Sequence, residues 1–216
     1  MNKNITKAFI AGIVFIVLLL GLSLNLILLP AGMTNEELSA NGLYVYDEPR
    51  SINEFSLIDH NGNSVDSALL LDKWTLIFFG YTYCPDICPL TMATLNQFSG
   101  LLEANGAYGE YAEDTQVLMV SVDPQRDSIE KLRDYVGFFN DGYLGLTGEY
   151  IEIFKFASQL NIAFAYTPGE DDEYLVSHSG IIALINPNGL FHGFFKVPHN
   201  PELMATNYAV VRSSWK

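Results

Sequence analysis

The chain has two cysteines, Cys84 and Cys88, separated by Pro85-Asp86-Ile87 and followed by Pro89. They come directly after Trp74-Thr75-Leu76-Ile77-Phe78-Phe79, an apolar run that reads as a buried strand. Pro89 suits the first turn of a helix. A strand thus delivers both thiols to a helix start. Side chains four apart on a helix share one face, and the positive end of the helix dipole favours thiolate. Thiolate attacks disulfides and also binds soft metals, so the position serves disulfide exchange and metal ligation alike. A purely structural bridge is a poor use of this pair, because it would close a tiny loop and constrain little of the unfolded chain.

Spacing separates the two chemistries in part. Thioredoxin-type redox motifs place two residues between the cysteines, whereas this pair has three. A disulfide is still within reach. Two sulfurs alone make an incomplete metal site, so a third ligand is needed. The four histidines are the first place to look. His60 falls in a turn and His199 in Pro198-His199-Asn200-Pro201, and both read as solvated loop side chains. His192 lies on an alternating strand. His178 sits in Val176-Ser177-His178-Ser179-Gly180, just before the apolar run Ile181 to Ile185. Met92, four residues after Cys88, falls on the apolar face of the expected helix and reads as core. No Met-rich or His-rich segment is present, which argues against bulk metal storage.

The elements that must position these residues can be read in order. Phe55 to Asp59 alternates, and His60-Asn61-Gly62-Asn63 is a hairpin turn signal leading to Val65. After the Trp74–Phe79 strand comes a helix with Leu90, Ala93, Leu95, Phe98 and Leu102 on its apolar positions. Gln116 to Val122 is a second apolar strand, ended by Asp123-Pro124. Ser128 caps a helix running to about Phe138, and Glu149 to Leu160 reads as another. Gly180 to Ile185 is a strand, Asn186-Pro187-Asn188-Gly189 a strong turn, and Leu190 to Phe195 its antiparallel partner. Pro201 to Val211 is a final helix. This order predicts an α/β fold, a thioredoxin-like mixed sheet flanked by helices. In such a sheet the loop entering the Ile181–Ile185 strand faces the cysteine loop, which sets His178 apart from the other histidines, with a plain core or loop histidine as the alternative.

Composition bounds the setting. The sequence is 216 residues long and 49% hydrophobic, enough for one domain with appendages. Ala8 to Leu29 carries no charge and is rich in Leu, Ile and Val. That span reaches about 33 Å as a helix, enough to cross a bilayer core. Lys3 and Lys7 precede it, and no acidic residue occurs before Glu36. The positive-inside rule then orients the N-terminus to the cytoplasm. Leu28-Leu29-Pro30-Ala31-Gly32 is a poor cleavage site, so an uncleaved anchor is expected rather than a signal peptide. The expected layout is a cytoplasmic stretch 1–7, one transmembrane helix over 8–30, a tether over 31–52 and a folded domain over 53–216. A bacterial inner-membrane location, single-pass with the domain in the periplasm, fits this layout. Net charge is −14; setting aside Lys3 and Lys7 leaves 9 of the 11 basic residues against 25 acidic ones, or −16. So acidic a surface does not bind nucleic acid through phosphates.

Three segments together resemble a known family. Gly80-Tyr81-Thr82-Tyr83-Cys84-Pro85-Asp86-Ile87-Cys88-Pro89 is similar to the cysteine signature of the Sco/SenC family. Val120-Ser121-Val122-Asp123-Pro124-Gln125-Arg126-Asp127 is similar to its second signature. Ser177-His178-Ser179, followed by the apolar strand and Asn186-Pro187-Asn188-Gly189, resembles its histidine segment. The three occur in family order across roughly residues 54–212.

The resemblance implies a membrane-anchored, thioredoxin-like copper-binding protein that assists cytochrome c oxidase assembly, with an oxidase subunit as client. It implies Cys84, Cys88 and His178 as metal ligands. It places Asp123 on the family's Asp-Pro position, where the plain alternative is a strand-end turn residue. Two thiolates and an imidazole suit Cu(I), and with Cu(II) the site is near neutral. Zinc takes the same donors but usually wants four. On this reading the protein is a carrier, not an enzyme of the turnover kind. The rival is a periplasmic thiol:disulfide oxidoreductase, with Cys84 attacking and Cys88 resolving. Against it, no proline stands just before His178, where thioredoxin-type reductases place one.

Overall fold

The computed structural model describes residues 12–21, 32–106, 108–168 and 174–215. Residues 12–21 are helical and exposed and form a unit apart from Met33–Trp215. The expected cytoplasmic stretch 1–7 lies outside the described residues, as does most of the expected span 8–30. Among the described residues, no helix is long and apolar enough to cross a membrane.

In the larger unit, α1 (Asn35–Ala40) precedes β1 (Leu43–Arg50), β2 (Leu57–Asp59), β3 (Ser64–Val65) and a short 3-10 turn (Ser67–Leu70). Next come β4 (Trp74–Gly80), α2 (Ile87–Ala104), α3 (Gly109–Glu113), β5 (Thr115–Ser121), α4 (Ile129–Phe139), β6 (Leu144–Thr147) and α5 (Tyr150–Gln159). The chain closes with β7 (Phe164–Pro168), β8 (Tyr174–His178), β9 (Ile182–Ile185), β10 (Phe191–Phe195) and α6 (Pro201–Ser214). The eight-stranded sheet runs β1-β10-β9-β4-β5-β6-β2-β3, and β7 and β8 pair separately. β4, β5 and β6 are parallel, while β9 joins β4 antiparallel on the other side. This is the expected thioredoxin-like mixed sheet.

The apolar run became the central strand because every residue of β4 is buried. Strands covered on both faces lose the alternating pattern and read as continuous hydrophobic runs. α2 buries Cys88, Met92, Leu95, Phe98 and Leu102 in helical spacing against this sheet, so Met92 is core as expected. α4 starts where Ser128 Oγ accepts from Lys131 N, 3.3 Å. α6 starts where the Asn200 side chain accepts from Leu203 N, 2.8 Å, with Pro201 opening the first turn.

The expected tether over 31–52 needs correction, and with it the domain start at 53. Thr34 and Glu37 form a reciprocal capping box that starts α1. β1 then adds to the sheet edge, with Leu43 opposite Phe195. The edge position explains the disguise. Leu43 is fully buried, but Asp47, Glu48 and Arg50 face outward and dilute the pattern. Such charged edges keep a strand from pairing with other chains.

Candidate metal centre

β4 ends at Gly80, and Tyr81-Thr82-Tyr83 turns the chain into the cysteines. Cys84 stands before the helix, while Cys88 lies in the first turn of α2. The pair therefore does not occupy one helical face, as the spacing predicts, but a turn and the helix start it feeds. Both cysteines are free thiols, Cys84 partly exposed and Cys88 buried. His178 is the last residue of β8, paired with Phe164, rather than part of a loop. The β7–β8 hairpin, which the sequence pattern does not predict, ends in His178. The ligand atoms of Cys84, Cys88 and His178 all lie within 4.8 Å of one another.

The chemistry of the donors is set by their neighbours. His178 Nδ1 lies 3.1 Å from the Ser179 carbonyl, which only accepts, so Nδ1 carries the proton. That leaves the Nε2 lone pair facing the Cys88 sulfur at 3.2 Å. An imidazole fixed by a backbone carbonyl through its far nitrogen is the usual outer arrangement around a metal-binding histidine. Burial lowers the His178 pKa, which keeps the ring neutral and able to ligate. Phe78 and Tyr81 hold the ring edge-on, with centroids 5.7 and 6.0 Å away.

Cys88 departs from the helix-dipole expectation. Burial pushes its thiol far up, outweighing the backbone hydrogen bond from Tyr81 that acts the other way. Desolvation wins because the side chain has no exposure to water. A soft cation that replaces the proton restores the charge balance, which suits the donor set to a metal taken up with proton release. Gly80 makes the fit: a Cβ there would lie 3.0 Å from Cys88 Sγ.

The second signature holds the frame without joining the three donors. Asp127 is buried and accepts from Thr82 N at 3.0 Å, Thr82 Oγ1 at 2.6 Å and Ser121 Oγ at 2.6 Å. It pins the cysteine loop to the end of β5, while burial pushes its carboxyl up. Asp123 is the buried partner of Arg126 and accepts from Tyr174 Oη at 2.6 Å. Arg126 donates to the Tyr174 carbonyl, 3.1 Å, and stacks on the Tyr174 ring at 3.8 Å. Asp123 is thus more than a turn residue: it anchors the start of the strand that ends in His178. Arg126, Asp127, Thr82 and Tyr174 were not singled out from sequence. Their signal was limited to the charged end of the Val120–Asp127 segment.

The other histidines stay apart from the cysteines, but they are not solvated loops. His60 Nδ1 accepts from Gly145 N at 3.1 Å. His199 Nε2 donates to the Gly180 carbonyl at 2.7 Å. Both have lowered pKa values, chiefly from burial. His192 packs edge-on against Trp74, with centroids 5.0 Å apart.

A sequence profile described as SCO1/SenC matches residues 46–211, well over half the chain. The chain belongs to the SCO1/SenC family. Among family relatives, the SCO2-like protein RC0895 of Rickettsia conorii is 32% identical over 207 residues, covering 94% of this chain and 96% of that protein. The mitochondrial Protein SCO1 homolog 1 of Arabidopsis thaliana is 32% identical over 172 residues, covering 77% of this chain but 50% of that one. The chain thus spans about half the length of such mitochondrial relatives. Among solved structures, Arabidopsis thaliana ScoI with copper bound is 32% identical with a TM-score of 0.68, covering 74% of this chain and 98% of that one. Yeast Sco1 with copper bound is 29% identical with a TM-score of 0.70, covering 78% and 91%.

Proposed function

We propose that this protein is a membrane-anchored copper chaperone that carries copper to, or prepares, the copper centre of cytochrome c oxidase. Cys84 and Cys88 bind as thiolates and His178 through Nε2, in both Cu(I) and Cu(II) states. The observation that carries the reading is the convergence of these three donors within 4.8 Å, with His178 already in the ligating tautomer. Copper-bound Sco structures from Arabidopsis thaliana and yeast support the choice of metal. Membership of the Sco family, which is described as one of cytochrome c oxidase assembly proteins, supports an oxidase subunit as the client. A three-donor centre lacking a fixed fourth group suits a carrier that must release its cargo. The uncharged stretch from Ala8 to Leu29, after Lys3 and Lys7, supports an anchor in a bacterial inner membrane with the domain on the periplasmic side. The test is anaerobic copper titration of the reduced protein beside Cys84→Ala and His178→Ala. Wild type is expected to take up one equivalent and both variants to bind more weakly with altered Cu(II) spectra. An unchanged His178→Ala spectrum and affinity would overturn the ligand set.

One observation favours a second reading, thiol:disulfide exchange with a client. The partly exposed Cys84 beside the buried Cys88 is the arrangement of an attacking and a resolving thiol. Fast turnover of protein disulfides by the metal-free protein, unaffected by His178→Ala, would move the assignment to that reading.

A further inference from the structure

A groove of about 450 Å³ is lined by Ile87, Leu90 and Thr91 from the start of α2 and by Val197, Pro198 and His199 from the loop between β10 and α6. Its rim is apolar and open to water: Leu90 is 60% exposed, Val197 51% and Ile87 39%. Two polar atoms of its lining residues, Thr91 Oγ1 and His199 Nδ1, are buried with no hydrogen-bond partner among the described residues. Thr91 is 2% exposed, so bulk water does not serve in place of a partner. His199 Nε2 donates to the Gly180 carbonyl at 2.7 Å, which leaves Nδ1 a lone pair that takes a donor. Buried polar groups in native proteins are nearly always paired, so two orphans beside one groove call for an occupant.

The groove adjoins the metal centre. Ile87 lies between the two cysteines in sequence, and Gly180 follows His178 by two residues. A Cβ on Gly180 would stand 2.9 Å from Val197 Cγ1 and 3.9 Å from Ile87 Cγ1, so both sides of the groove close on the chain just past the histidine. A protein that takes copper from Cys84, Cys88 and His178 brings its own donors to this place, and its chain then passes over the groove. A purely apolar molecule would cover the rim but leave both polar atoms orphaned. An extended peptide meets every need: an apolar side chain for Ile87, Leu90 and Val197, an N–H for His199 Nδ1 and a carbonyl for the Thr91 hydroxyl. We propose that this groove seats an extended segment of the copper-receiving client, filled by an apolar side chain that neighbours the thiol or imidazole accepting the metal. The inference rests on the copper reading above for the identity of that client.

The test traps short peptides on Cys84 by thiol–disulfide exchange, in the full chain carrying Cys88→Ala so that no second thiol releases them. Each peptide has one cysteine, supplied as its mixed disulfide with glutathione. The Cys84 thiolate attacks that disulfide, joins one sulfur and releases the other as thiolate. The ratio of peptide adduct to glutathione adduct at equilibrium is read by intact mass. A single Leu is moved through the positions flanking the cysteine, and the reference peptide has Ser throughout. One Leu position is expected to raise the ratio about tenfold or more over the reference, the worth of burying such a side chain. Leu90→Ser and Val197→Ser should abolish that preference, while Phe138→Ser, an exposed site on α4, should keep it. His199→Gln retains a donor for Gly180 but loses the Nδ1 lone pair, and should lower the ratio for Leu and reference peptides alike by about 2–10-fold. A ratio blind to Leu at every position, or a preference that survives Leu90→Ser combined with Val197→Ser, overturns the proposal. A blind ratio together with self-association that Leu90→Ser abolishes gives the groove to a second copy instead. The exchange uses no metal, so a chain that takes up no copper fails the copper reading alone, and a flat peptide scan fails the groove alone.

Discussion

Gly80→Ala tests whether the centre is built from the strand end outward. Gly80 closes β4, and Cys88 Sγ rests where a side chain at that position would stand. An added Cβ would lie 2.6 Å from Phe78 Cε1 and 3.0 Å from Cys88 Sγ. Carbon pairs settle at about 3.5–4.0 Å, so the shortfall at Phe78 is about 1 Å. Phe78 is fully buried in the central strand and has no free direction. The strain therefore falls partly on Phe78 and partly on the cysteine. Overpacking of this kind costs about 1–3 kcal/mol. For a domain of this size that lowers the melting temperature by about 2–4 °C per kcal/mol. The second effect is the diagnostic one. Metal–ligand distances hold to about 0.2 Å, and a sulfur displaced by a few tenths of an ångström should weaken copper by about tenfold or more. Gly100→Ala is the control, because its Cβ would meet nothing within 4 Å in the interior of α2. It should gain about 0.5–1 kcal/mol and leave copper untouched. The assays are calorimetric melting and Cu(I) competition on both variants. Gly80→Ala with wild-type stability and affinity would refute the claim that the missing side chain makes room for the sulfur.

Further outcomes follow from the frame around the centre. Asp127→Asn replaces one acceptor oxygen with a donor facing Thr82 or Ser121, and should cost about 1–3 kcal/mol in urea unfolding. Its footprint in amide exchange should centre on residues 81–88. Asp123→Asn breaks a buried ion pair, but Arg126 keeps 20% of its side chain in water, so the low end of the usual range, about 3 kcal/mol, is expected. Its exchange footprint should fall on β7 and β8. Burial lowers the His192 pKa from 6.5 to about 4. The folded chain thus holds His192 neutral where the unfolded chain binds a proton. Stability is then full above about pH 6.5 and falls as pH drops toward 4, by about 3 kcal/mol at most. His192→Gln should flatten that part of the urea-midpoint profile, and an unchanged slope would assign the loss to other groups.

Much of the fold was legible because its central strands are apolar runs and its helices carry caps. β4, β5 and β9 announce themselves by composition, and Ser128 marks a helix start by its side-chain chemistry. β1 was hidden because an edge strand exposes its charges, and the Tyr174–His178 strand because its partner is a hairpin outside the main sheet. Around the centre, Cys84, Cys88 and His178 stood out by residue type, and the fold brings them together. Their surroundings did not stand out. Burial of Cys88 overrides the helix-dipole argument, and burial is a property of packing that local spacing does not carry. His60 and His199 misled for the same reason: turn sequences do not reveal that a ring nitrogen meets a backbone group of a distant segment.

The two aspartates of the second signature divide the work of holding the centre. Asp127 reaches across to Thr82 and fixes the chain that delivers the cysteines. Asp123, through Tyr174 and Arg126, fixes the hairpin that ends in His178. Tyr166 adds a third tie, its hydroxyl donating to the Val122 carbonyl at 2.6 Å. The segment from Ser121 to Asp127 is therefore a shared base under both arms. It also extends the backbone ladder, since Val122 N donates to the Gly80 carbonyl at 2.9 Å. Neither aspartate needs to touch a metal for its loss to weaken one. The two aspartates meet at Ser121, whose Oγ accepts from Asp123 N at 3.1 Å and donates to Asp127 Oδ2 at 2.6 Å, so combining Asp123→Asn with Asp127→Asn should depart from additivity in stability. On the proposed copper reading, His178 arrives on its own hairpin while both sulfurs come from the β4–α2 segment, so the histidine is the donor that could loosen first when copper is released.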